Sequence, residues 1–131
     1  MLNFIAVIVA SVIYYIIIFF WYWPTLFGNT WLKLVGKEKV EKDQILRESI
    51  LMIPTSLLTN FVIALLFDFL GNPDLLWGIV VVLLFYVGFV IPIAINQDLF
   101  NNRTNIKLFL IEYGDYLIAF LISGIILSLW V

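Results

Sequence analysis

The chain has 131 residues, room for a single domain over 1–131, and 64% of them are hydrophobic while 12% are charged. A mean hydropathy of +1.12 lies far outside the range of a water-soluble domain, so lipid is the expected solvent. Cysteine and histidine are absent, which removes disulfides, thiolate metal sites, cysteine nucleophiles and the commonest general base; no cofactor, metal or catalytic centre is expected, and the chain does not read as an enzyme. A net charge of -2 offers no concentrated basic surface, which sets nucleic acid aside as a partner and leaves the lipid bilayer.

A bilayer core about 30 Å thick takes roughly 20 apolar residues of helix to cross. The first segment that qualifies is 2–22. It lacks a basic flank and a small-residue cleavage site, so it reads as a retained span rather than a removable signal peptide. A polar loop over 28–49 follows, holding Lys33, Lys37, Lys39, Lys42 and Arg47. Within it, Thr30 is placed to cap a short surface helix with Trp31, Leu34 and Val35 on its apolar side and Lys33 and Lys37 toward water. Glu38 with Lys42, and Asp43 with Arg47, are acid-before-base pairs four apart that favour a polar helical stretch leading into the second span.

The second and third spans are expected over 50–70 and 75–95, separated by Gly71-Asn72-Pro73-Asp74. So short a turn predicts an antiparallel hairpin of neighbouring helices. Pro54 and Pro92 fall near one end of these spans, where each permits a kink. A short loop over 96–105 carries Arg103, with Lys107 just after it, and the fourth span covers 106–130. The predicted fold class is therefore all-α, an integral membrane bundle of four transmembrane helices.

The seven basic residues all fall in or beside the first and third loops, which four spans place on one side of the bilayer. The positive-inside rule puts both loops in the cytoplasm and both termini outside. All five tryptophans stand at predicted span ends: Trp21, Trp23 and Trp31 at the loop side, Trp77 and Trp130 at the other. They read as interface anchors, with the ring buried and the indole N–H wet. A similarity between 26–34 and 99–108 is compatible with two like-oriented hairpins related by a pseudo-twofold axis, and equally with chance in a low-diversity sequence.

Glu112 and Asp115 are the least expected residues, because both lie within the fourth apolar stretch. Asp115 would be roughly 13 Å deep counted from residue 106. Ionised and facing lipid it would cost on the order of 2.5 to 3.5 kcal/mol, so it should face protein. Glu112, Asp115, Tyr116, Ala119 and Ser123 share one helical face. Counted from the same end, Ser56, Thr59 and Asn60 of the second span reach matching depths, as do Tyr14 or Tyr15 and Tyr86, which predicts a polar belt made by all four helices. Two readings of the belt stay open. In one it is structural, with a protonated acid donating a hydrogen bond to Asn60 or a tyrosine. In the other the acids bind a small cation or relay a proton. A membrane aspartyl hydrolase is disfavoured, since both carboxyls come from one helix. Small positions such as Ala6 and Ala10 offer a close-packing face for a homo-oligomer.

The run Trp21-Tyr22-Trp23-Pro24-Thr25-Leu26-Phe27-Gly28-Asn29-Thr30-Trp31-Leu32-Lys33-Leu34 resembles the WYxPxxFGxxWxKL segment of the domain-of-unknown-function 1761 family, small membrane proteins found mainly in bacteria. Leu108-Phe109-Leu110-Ile111 with Gly114, Gly124-Ile125-Ile126-Leu127 with Trp130, and Arg103 are similar to that family's last helix and the basic residue before it. Where the family often reads Asn-Ala-Gly-Tyr-His, this chain reads Glu112-Tyr113-Gly114-Asp115-Tyr116. The resemblance implies four spans and a bacterial membrane, and no activity.

Overall fold

The computed structural model describes residues 2–38 and 42–130. Lys39, one of the basic residues of the first loop, lies outside them. In chain order the elements are α1 (Phe4–Trp21), α2 (Gly28–Val35), α3 (Lys42–Phe69), α4 (Leu75–Phe85), a π-helical turn (Tyr86–Val90), α5 (Ile91–Phe100) and α6 (Ile106–Leu129). Among the described residues, four helices are long and apolar enough to cross a membrane: α1, α3, the continuous run Leu75–Phe100, and α6.

Three starts are fixed by local chemistry. The first amides of a helix have no intrahelical acceptor, and a short polar side chain just before it can supply one. Asn3 Oδ1 accepts from Ala6 N at 3.1 Å, Asp74 Oδ1 from Trp77 N at 3.0 Å, and Asn105 Oδ1 from Lys107 N at 2.9 Å. The α2 start differs from expectation. The helix begins at Gly28, two residues ahead of the predicted cap Thr30, and its N-cap residue Phe27 makes no side-chain bond. Gly28 is forced there by the turn before it, where Gly28 N donates to Trp23 O at 3.1 Å. The amphipathic reading of α2 holds: Trp31, Leu34 and Val35 are half-buried, Lys33 is exposed, and Lys37 just beyond lies over the Trp31 ring at 5.8 Å.

The polar stretch expected before the second span is continuous with it, so α3 starts at Lys42. Neither predicted charge pair closes there. Instead Gln44 Nε2 donates to Glu48 Oε1 at 3.2 Å, because exposed ion pairs gain little over solvation. The third span likewise runs on to Phe100 through the π turn. Pro92 explains that turn: it has no N–H to give Gly88, and its ring crowds that carbonyl. The backbone widens just ahead of it, with Ile91 N bonding back five residues to Tyr86 O.

Contacts along α1 set directions. Ala6 shares a core with Ala64, Phe67 and Leu127, Tyr14 meets Phe120 at 6.2 Å between ring centroids, and Trp21 reaches Ile111. So α1 runs opposite to both α3 and α6, while Gly78 near Ser128 and Tyr86 near Phe120 make α4 antiparallel to α6. The loops around α2 and residues 101–105 therefore share one end, and the turn at 71–74 shares the other with Leu2 and Trp130.

Packing does not follow chain order. The pairs in closest approach are α1 with α6, α1 with α3, and α4 with α6, with a lesser contact of α3 on α6. Helices α3 and α4 are antiparallel, as the short turn predicts, and meet where Phe67 approaches Gly78, but each packs more extensively on another helix, α3 on α1 and α4 on α6. Two like-oriented hairpins, α1/α3 and α4/α6, are present. A twofold between them would also match α1–α6 with α4–α3, and that second contact is far less extensive than the first. A second correction concerns Ala6 and Ala10. Both are fully buried inside the chain's own core, so they cannot serve as a face for a second copy.

Candidate functional site

The last helix, α6, carries the site because its small residues let the others come close. Trp21 crosses α6 beside Gly114, where an added Cβ would make only ordinary contact with the ring at 3.5 Å, and the indole donates its Nε1–H to Ile111 O at 2.8 Å. On the opposite side Tyr86, where the π turn begins, donates its hydroxyl to Tyr113 O at 2.6 Å. Both bonds end on α6 carbonyls within one turn of the acids, and both are made where water is scarce.

Glu112 and Asp115 separate sharply in environment. Arg103 Nη1 reaches Glu112 Oε1 at 2.8 Å and Oε2 at 3.0 Å, and Trp31 Nε1 donates to Oε2 at 3.3 Å. Glu112 is thus a loop-end group, neutralised by a cation that folds back from before α6. Its side chain is 16% exposed against 41% for Arg103. Asp98, buried on α5, lies within electrostatic range of both. Removing the cation by Arg103→Ala is expected to lower the unfolding midpoint, since it strands Glu112 unpaired at the apolar boundary. The double variant with Glu112→Gln should recover much of the loss; thermal unfolding in micelles checks this, and no recovery would show that Arg103 acts elsewhere.

Asp115 is 1% exposed. Its Oδ1 accepts from a backbone group, Tyr116 N, at 2.7 Å, and among the described residues no cationic side chain pairs with it. Tyrosines lie near it instead: Tyr14, Tyr22, Tyr86, Tyr113 and Tyr116 are all within electrostatic range. Tyr22 in turn meets Trp31 edge-on at 5.7 Å, so aromatic rings close the space between Asp115 and the loop end.

The predicted belt is divided between two depths. Phe67 and Ser128 both approach Gly78, and α3 and α6 are parallel, so Asn60 stands level with about residue 121 and roughly 9 Å along the axis from Asp115. Asn60 makes no bond to Asp115; its Nδ2 donates to Ser56 O at 2.9 Å. Ser56 is buried and Thr59 half-buried, with the Thr59 side chain beside Tyr14. Tyr116 is half-buried beside Asp115, and Tyr15 stacks on Phe19 away from the site. Depths counted from residues 50 and 106 do not match because α3 is shifted along its axis relative to α6.

Of the tryptophans, Trp21 and Trp31 make interhelical bonds, while Trp23, Trp77 and Trp130 are exposed near helix ends. Tyr22 and Asp98 were not singled out from sequence. Tyr22 is hidden inside an aromatic run, and Asp98 falls in the loop predicted over 96–105, although the third helix continues to Phe100.

Four long apolar helices around a buried carboxyl define an integral membrane helical bundle. The chain belongs to the DUF1761 family, described as proteins of unknown function, whose model matches residues 5–128. Searches of curated proteins and of solved structures found no match.

Proposed function

We propose that this membrane protein takes up and releases a proton or a small cation at Asp115. The observation that carries the reading is a carboxyl that is 1% exposed with no cationic partner among the described residues, while its neighbour Glu112 has one. A lone ionised carboxylate in so apolar a place is too costly to keep, so Asp115 must hold a proton or a cation, and exchanging it is what such groups do in membrane proteins. The structural reading needed a bond from this acid to Asn60 or a tyrosine, and neither bond is among those found.

In this reading the loop end, with Lys33, Lys37, Lys42, Arg47, Arg103 and Lys107, faces the cytoplasm of a bacterial cell and the termini lie outside. Self-association is part of it as well: a 15.2 kDa bundle exposes much apolar surface, and a second copy would use a face other than Ala6 and Ala10. The test is flux. Proteoliposomes carrying an entrapped pH dye, with and without sodium or potassium gradients, should lose flux at least about tenfold on Asp115→Asn, with the melting curve kept. Equal flux from both proteins would end the proposal.

A further inference from the structure

Among the described residues, two polar atoms in the middle of the bundle are buried without a partner: Asn60 Oδ1 and Ser123 Oγ. Their residues are 0% and 1% exposed. In hydrocarbon surroundings an unsatisfied group of this kind is costly, and the cost falls on the fold unless something fills the gap.

Each atom is turned inward by a local choice. Asn60 spends its Nδ2 on Ser56 O and leaves the carbonyl oxygen facing the interior. Ser123 is the more telling case. The hydroxyls of Ser11, Thr55 and Ser128 bond back to carbonyls of the preceding turn, at Val7, Leu51 and Ile125, which is the usual refuge of a helical hydroxyl in lipid. Ser123 declines it.

The two oxygens are also at one level. Asn60 precedes Phe67 by seven residues and Ser123 precedes Ser128 by five, and Phe67 and Ser128 meet at Gly78. Along the parallel axes of α3 and α6 the offset is about 3 Å. Fully buried Ala10 and Ala119 lie within about a turn of this level and contribute only methyl groups.

We infer that Asn60 Oδ1 and Ser123 Oγ together hold a buried water molecule between α3 and α6. Oδ1 can only accept, so the occupant must donate, and water can give one hydrogen to Oδ1 while exchanging a hydrogen bond with the serine hydroxyl. A bare cation fits poorly, since no carboxylate stands at this level and two oxygens do not replace a hydration shell. The inference does not depend on the reading of Asp115.

Two measurements test it. In the wild-type protein in lipid bilayers, proton-detected solid-state NMR should show cross peaks from water to the Asn60 side-chain amide and to Ser123 that persist after bulk water is filtered out; their absence overturns the inference. Asn60→Leu and Ser123→Ala should each lower the unfolding midpoint by about 3 °C, and the double variant should fall no further than the worse single, because one water can be lost only once. Additive shifts overturn it as well.

Discussion

Alanine at position 28 is expected to disrupt the loop end of this protein and to cost about 3 kcal/mol or more of stability. The added Cβ would fall inside contact distance of the Tyr22 carbonyl oxygen, 2.9 Å from its carbon and 3.0 Å from that of Trp23. All three are backbone atoms in a turn pinned by Leu26 N and Gly28 N on Trp23 O and by Phe27 N on Trp21 O. No rotamer relieves such a clash, so the turn must open. Trp31 then moves off Tyr22 and Glu112, and the aromatic cover over Asp115 goes with it. Thermal unfolding in micelles, with near-UV dichroism for the tryptophans, measures the change. A midpoint and aromatic spectrum equal to wild type would refute the packing described for this corner.

Gly124→Val should have an effect of similar size, about 3 kcal/mol, for a different reason. Its Cβ would stand 2.8 Å from Val82 Cγ2 and 3.5 Å from Gly78 O, and Val82 is 1% exposed. The obstacle here is a side chain rather than backbone, so relief is available: shrinking Val82 to alanine in the same protein should restore part of the loss, because the two changes nearly conserve volume. The same unfolding assay decides it, and strictly additive losses in the double variant would mean that α4 and α6 do not meet through this pair.

What could be read from the residues follows what each physical constraint controls. Span number, helix class and the shared end of the basic loops rest on apolar run length and charge, which act locally, and the structure has all of them. The expectation that Asp115 faces inward came from the cost of charge in lipid and needed no partner to be known. Partners were another matter. Arg103 reaches Glu112 across nine residues by folding back, and Tyr86 reaches the Tyr113 carbonyl through a backbone widened ahead of Pro92. Neither is written in helical periodicity. The limited extent of the α3–α4 contact has the same cause: a short turn sets direction, while the small residues Gly78 and Gly124 let α4 and α6 approach closely. Asn60 was assigned to the wrong depth because an axial shift leaves hydropathy unchanged.

The packing order also bears on how the chain is made. Membrane segments enter the bilayer in sequence, yet α4 rests chiefly on α6, the last of the four to be synthesised, and α1 spends that interval with half its contact surface unmatched. The early spans must therefore be individually at home in lipid, which their long uncharged runs allow, and the acid-bearing helix arrives into a bundle whose other walls are already waiting.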